Sequence, residues 1–526
     1  MKFRCIAALA AVFMAGSLIA PGVDVAAAAD APTFTHDVAP ILHAKCVTCH
    51  RAGEVAPMAL MTYQDARPYA RAIKDKVSSR QMPPWFADPA FGTFANDARL
   101  SAEDIATITR WVDAGAPQGD PKDMPKLPQF TDGWQLGEPD LVVELPEVQI
   151  PATGADYFPT PNITLDLKED HWIRAIEVRP SNRAVTHHSV IFSANAGAAM
   201  MGASGFFDVL AVWAVGTPPT VYPDGMGRWV RKGEQLRTNL HYHPNGTPQV
   251  DRTRVGLYFG KGELKKEVVA ALAGNVTFQI PPNTADYELR AVYVVDQDIN
   301  VVSFFPHMHL RGKDMKMTAT LPDGHQETLL NVPAYDFSWQ LFYYPKTNVK
   351  LPRGTRVDLV AHYDNSAANK HNPDPSQAVT FGEASTNEMM FGMFEFTAAD
   401  GVSPKASSNT SRMQALVDTL PAESSFLIEL PVGRSPQPAV LHVPRSGEGG
   451  FYTEAMGMIL PQPVAKLEWQ GNTFSFNTLL RVLGQGGGYY TVTGTIENGA
   501  VHGTMQRLGN NNRPQPSFDF SGVHTP

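Results

Sequence analysis

Cys46-Val47-Thr48-Cys49-His50 constrains this chain more than any other stretch. A C-x-x-C-H string is the attachment pattern of a c-type haem. The spacing has a mechanical cause. One short helical turn sets both sulfurs along one edge of the macrocycle, where they can add to its vinyl groups. The imidazole of His50 then lies beneath the ring and binds the iron. The competing reading is two structural cysteines beside an unrelated histidine. A haem at this position asks for something downstream that uses electrons.

The third cysteine, Cys5, lies within residues 1–29, which read as an export signal. Lys2 and Arg4 precede an apolar run over 6–20, and Ala27-Ala28-Ala29 supplies small residues for cleavage before Asp30. The run falls short of the ~20 residues a membrane-spanning helix needs. The expectation is a periplasmic or secreted protein with no membrane span after signal cleavage. Its two remaining cysteines belong to the haem motif, so packing and metals, not disulfides, must stabilise it. The formal charge is −9. The signal holds Lys2, Arg4 and Asp24, so its removal makes the chain more negative still. An acidic chain with no Lys/Arg stripe argues against nucleic acid and anionic membranes as partners.

A length of 526 residues suggests about three or four domains. Residues 30–120 resemble a class I cytochrome c domain. The stretch 34–45 predicts a helix that delivers Cys46. Ser101-Ala102-Glu103-Asp104 reads as a second helix start, with Ser101 as cap and acids in the first turn. Ile105, Ile108, Trp111 and Val112 recur at helical spacing, and Gly115 ends the run. The resemblance implies that the first and last helices cross beside the haem. Met82, within Gln81-Met82-Pro83-Pro84-Trp85, is the favoured sixth iron ligand, because two prolines can hold an extended loop against the iron. Met58, Met61 and His43 compete for that role, and ordinary core packing is the plain alternative for Met82. A Met/His pair suits electron transfer. Residues 121–138 read as a linker.

From 139 to 400, short β-rich runs alternate with Pro, Gly, Asn and Asp turns, and no amphipathic helix of ordinary length is visible. Runs at 141–145, 172–178, 185–192, 301–306, 357–363 and 389–396 predict strands. This is material for two sandwich domains, 139–270 and 271–400. Residues 410–526 are again β in character, with runs at 451–459, 466–469, 473–477, 489–495 and 500–505. Glu497-Asn498-Gly499 reads as a hairpin turn. The expected fold class is therefore multidomain: an α-helical cytochrome c domain, two antiparallel β-sandwiches and a small C-terminal β domain of unknown role.

Three histidine clusters fall in this β-rich part: His187-His188, His241-Tyr242-His243 and His307-Met308-His309. Residues i and i+2 of a strand face one side, so His307 and His309 can grip one metal. His187 and His188 face opposite sides of a regular strand and can share a metal only where the strand is irregular, or where the rings bind through different nitrogens. No thiolate is at hand and no carboxylates cluster with these histidines. Imidazole with an optional thioether suits copper, with three-histidine zinc as the competing metal.

In this pattern the stretch 140–400 resembles the copper type II, ascorbate-dependent monooxygenases, such as peptidylglycine α-hydroxylating and dopamine β-monooxygenases. The resemblance implies two sandwich domains with one copper each. His187, His188 and His241 match the ligands of the electron-storing copper, with His243 an extra histidine able to replace His241. His307, His309 and Met389, within Asn387-Glu388-Met389, match the catalytic, oxygen-activating copper. Three departures bear on the substrate. Positions that grip a peptide carboxylate in peptide-oxidising members are Phe305, Phe391 and Met393 here. The implied activity is insertion of one atom of O2 into an activated C–H bond of a small, more apolar substrate. The fused haem would pass on electrons from a periplasmic reductant or cytochrome. The alternatives are a non-catalytic haem and copper electron carrier, and a hydrolytic zinc enzyme that leaves Met389 without a purpose.

Overall fold

The computed structural model describes residues 31–54, 56–130, 133–193, 208–405, 407–431, 436–482, 486–509 and 514–524. The expected signal, 1–29, lies outside the described residues. The chain is mostly β, in several sheets, and most of its helix precedes residue 114. No helix among the described residues is long and apolar enough to cross a membrane.

The N-terminal part is helical. A π-turn at Phe34–Val38 runs into the helix Ala39–Lys45, which ends at Cys46. The helix Ala102–Asp113 starts where the sequence asks it to. Ser101 Oγ accepts from the Asp104 N–H and the Asp104 carboxylate accepts from the Ser101 N–H, both at 3.0 Å. Such a reciprocal cap stabilises a helix by about 1 kcal/mol. Phe34, Val38, Leu42, Ile108 and Trp111 form the core between these segments. Two further helices, Tyr63–Ala66 and Ala70–Ser78, were not foreseen. Their buried stripe is Ala66, Ala70, Ile73 and Val77, where small residues weaken the apolar signal.

Beyond the linker, six strands form one sheet, including His171–Arg179 and Arg254–Phe259. It packs over a second sheet in which Thr186–Ser193 lies between Gln235–Tyr242 and Asp208–Ala214. Ile173, Ile176 and Leu257 from one layer meet Ile191, Leu236 and Leu240 from the other. The next region repeats the scheme. A sheet with Val269–Asn275, Met390–Ala398 and Ile299–His307 covers another with Gly312–Thr320, Arg356–Tyr363 and Tyr287–Val294. Phe304, Phe394 and Phe396 meet Met317, Leu359 and Tyr293 in that core. Met390–Ala398 is buried along its whole length. A strand covered on both faces reads as a largely apolar run, as this one does apart from Glu395 and Thr397.

Residues beyond 425 extend the second region's sheet. Tyr287–Val294 bonds to Met458–Gln462 through Val292 and Ile459, and the C-terminal strands continue from there. Two local details differ from the sequence reading. The run expected at 451–459 is a hairpin of Gly450–Ala455 and Met458–Gln462, turning at Met456 and Gly457, whose φ values are 54° and 80°. A helix, Asn409–Asp418, sits where only strands were foreseen. Met413, Leu416 and Val417 pack it against Val292 and Val440, so its stability comes from the sheet beneath it.

Contacts between the regions position the parts. The first and second β regions meet through a buried carboxylate. Glu395 accepts from Tyr222 Oη at 2.9 Å and Ser303 Oγ at 2.7 Å, with Arg228 Nη1 at 3.8 Å. The N-terminal part, in turn, sends out an arm just after Met82. Its backbone bonds to the second region at Asp88–Asn331 and Ala95–Tyr344, both 2.8 Å, and Trp85 and Phe94 pack on Tyr343.

Candidate metal centres and the cavity between them

The first histidine set is built by a strand defect. His188 stands directly across from His241 in the antiparallel pair, and the register shifts between Thr186 and His188. That bulge turns His187 to the same side as His188, one of the two ways the pair can share a metal. The ligand atoms of His187, His188 and His241 lie within 4.8 Å of one another, the one such group of His, Cys, Asp or Glu among the described residues. Nδ1 of His187 and Nδ1 of His188 are 3.3 Å apart. Burial pushes His187 down to about 3, helped by the neighbouring His241, and holds His188 well below its usual range. Neutral imidazoles with facing lone pairs are what a metal takes.

His241 reports most about the site. Its Nε2 bonds Asp156 Oδ2 at 2.8 Å, whereas its Nδ1 is buried without a hydrogen-bond partner. The carboxylate fixes the tautomer, so Nε2 carries the proton and Nδ1 offers a lone pair. A bond from His241 holds Asp156 well below the usual carboxylate range. His243 bonds the other oxygen of Asp156 at 2.8 Å and points outward, with 75% of its side chain exposed against 2% for His241. The structure thus brings His241, and not His243, into the set. Asp156 also accepts from Ser385 Oγ at 2.9 Å, a contact from the second β region. Sequence reasoning missed Asp156, a lone acid 85 positions from His241 with no local motif.

The second set lies at adjoining strand ends. His307 closes Ile299–His307 opposite Phe391, and Met389 precedes Met390–Ala398. The His307 and His309 rings are 5.2 Å apart. His307 Nδ1 faces Gln340 Oε1 at 2.8 Å and His309 Nδ1 faces the Asn387 carbonyl at 3.3 Å. Both acceptors call for a proton on Nδ1, which leaves Nε2 of each ring free to bind a metal. Glu388 fastens the segments together by accepting from the backbone N–H groups of His309, Arg311 and Met389. Burial pushes its carboxyl up to about 8.

Both sets border one cavity of about 120 Å³ between the β regions. His188 lines it from the first region, and His307, His309 and Met389 from the second. Phe305, Phe391 and Met393 form much of its apolar wall, opposite Val190 and Val212. Phe337 stands between the two sets. It stacks on His187 with ring centres 4.6 Å apart and meets His309 edge-on at 5.6 Å.

At the N-terminal motif, Cys49 N and His50 N both bond back to the Cys46 carbonyl, at 3.1 and 3.0 Å. That single turn sets two unpaired thiols beside His50. His50 Nδ1 faces the Met58 carbonyl at 3.2 Å, so Nε2 is the nitrogen left for a ligand. These features fit a covalently held haem. Among the methionines, Met58 and Met61 pack against the local core, whereas Met82 stands outside it at the root of the arm. His43 Nε2 is engaged by the Met61 carbonyl at 2.9 Å. No family model matches the chain, and a search of curated proteins finds no match either.

Proposed function

We propose that this protein is an exported copper-dependent monooxygenase. It inserts one oxygen atom from O2 into an activated C–H bond of a small, apolar substrate, with a c-type haem at Cys46, Cys49 and His50 supplying electrons. The observation that carries the reading is the pairing of two unlike imidazole sets, one with an unpartnered buried Nδ1 and one with a thioether, on a single apolar cavity. Copper held by such donors would supply one-electron chemistry with O2.

The chain's own residues then have defined tasks. His187, His188 and His241 hold the first ion, and Asp156 keeps Nδ1 of His241 deprotonated. His307, His309 and Met389 hold the second at the cavity wall. Phe305, Phe391 and Met393 exclude water and favour an apolar guest, in place of the charged and polar groups that would grip a carboxylate. The helices Ala39–Lys45 and Ala102–Asp113, packed through Phe34 and Trp111, support a cytochrome c type of haem domain, with Met82 the proposed sixth ligand.

The test is metal analysis followed by oxygen uptake. About two coppers per haem iron, and O2 consumption that yields a hydroxylated product from an apolar substrate, are expected. Zinc in place of copper removes the proposal. Copper without any product would leave an electron carrier. Cys49→Ala should stop haem-driven turnover while an artificial reductant still supports it.

A further inference from the structure

The loop that follows the C-x-x-C-H string is docked on the loop that leads into the first histidine set. Glu54 is the hinge pin of this contact. Its Oε1 accepts from Arg51 Nη2 at 2.8 Å, and its Oε2 is paired with Arg183 Nη1. All three side chains are 12–15% exposed. Ion pairs that are largely shielded from water hold their geometry better than surface pairs do. Both ends are short tethers. Glu54 lies four positions after His50, and the Ala56 N–H bonds back to the Cys49 carbonyl at 3.3 Å. Arg183 lies four positions before His187.

The receiving loop is anchored from within. Asp251, fully buried, accepts from the Asn182 N–H at 2.8 Å and Ser181 Oγ at 3.0 Å. The same carboxylate accepts from Tyr242 Oη at 2.8 Å, beside His241. The Val185 carbonyl takes the His243 N–H at 2.8 Å. One network therefore fixes Arg183, the strand carrying His187 and His188, and the strand carrying His241. The other contact with the N-terminal part, the arm from Trp85, lands on the second region at Asn331 and Tyr344, and not on a histidine.

We propose that the Glu54–Arg183 contact is the electron intake of the molecule: it seats the haem-bearing turn on the first histidine set, so that electrons reach His187, His188 and His241 before the other set. The inference rests on the haem and copper reading above. The step balances simply. With haem at Cys46, Cys49 and His50 and copper held by the three histidines, one electron would pass from ferrous iron to cupric ion, leaving ferric iron and cuprous ion, with no bond made or broken. Two such transfers serve one turnover. Glu54 and Arg183 are positioning residues in this scheme, since neither binds a metal.

The experiment uses the full-length protein loaded with haem and copper. Haem is reduced without oxygen by a sub-stoichiometric donor, and its reoxidation by cupric ion in the same molecule is followed by stopped-flow absorbance. Arg183→Glu and Glu54→Arg should each slow the fast phase at least tenfold, with haem midpoint potential and copper content unchanged. The double charge swap should restore the rate. His188→Ala should remove the fast phase, and Met389→Ala should keep it. In the metal-free chain, hydrogen exchange of amides 49–54 and 183–187 should rise in both single variants and fall back in the swap. A single-variant rate equal to that of the unaltered protein overturns the proposal. So does a fast phase that survives His188→Ala and disappears with Met389→Ala. Failure of the unaltered protein to bind copper, or to pass any electron from haem, defeats the parent reading and this inference together. The outcomes are thereby distinct.

Discussion

The two histidine sets differ in what stands behind them. Behind the first is a carboxylate, Asp156, which holds His241 in one tautomer and strengthens its lone pair. Behind the second are neutral oxygens, the Gln340 amide and the Asn387 carbonyl. The first offers three imidazoles and the second two with a thioether. Anionic support and a third nitrogen favour the higher oxidation state of copper, while a soft sulfur and neutral support favour the lower. Two sites of the same metal on one cavity would thus be set to different tasks, one to pass an electron on and the other, held in the lower state, to meet oxygen.

That contrast can be broken by mutation. The largest effect is expected from His188→Ala, which removes a first-set ligand. Copper should fall from about two ions to about one per chain, and turnover with any reductant should drop by roughly two orders of magnitude. Retention of both ions would show that His188 is not a ligand of the first set. Met389→His comes next. Both ions should stay, while turnover falls on the order of tenfold or more, because the softer ligand is lost. Full activity in that variant would remove the distinction drawn here. Asp156→Asn should weaken copper at the first set alone, by about 10–100-fold in a competition titration. An equal loss at both sets would point to the Ser385 contact, not the His241 bond, as its main task. His243→Ala should change first-set affinity by less than about threefold, since this ring is an exposed neighbour of Asp156 and not a ligand.

Much of this was legible in the sequence where the signal is local. The C-x-x-C-H turn, the Ser101 cap and the His-x-His pair each depend on residues within a few positions of one another. For adjacent His187 and His188, an irregular strand was one of two ways to share a metal, the other being different ring nitrogens, and a register shift is found there. What escaped notice is what tertiary structure alone creates. Asp156, Gln340 and Phe337 acquire meaning only when distant loops meet, and Glu54 and Arg183 are 129 positions apart. The helix Asn409–Asp418 was hidden for a related reason. Its cap pairs Ser408 with Ser411, a weak signature, and the sheet beneath it supplies what its own residues do not. The joining of the C-terminal strands to the second region rests on Val292 and Ile459, two ordinary aliphatic residues.

The shared carboxylate of Glu395 has a consequence for selectivity. It takes hydrogen bonds from both β regions in a place closed to water, with Tyr222 on one side and Ser303 on the other. Swinging the regions apart would break the Tyr222 bond and leave the carboxylate with Ser303, at a cost of about 1–3 kcal/mol. That contact would favour one width for the gap between the walls. Under the proposed function, guests would be gauged by thickness before any chemistry. Broader molecules would then be admitted by trimming the wall at Phe305.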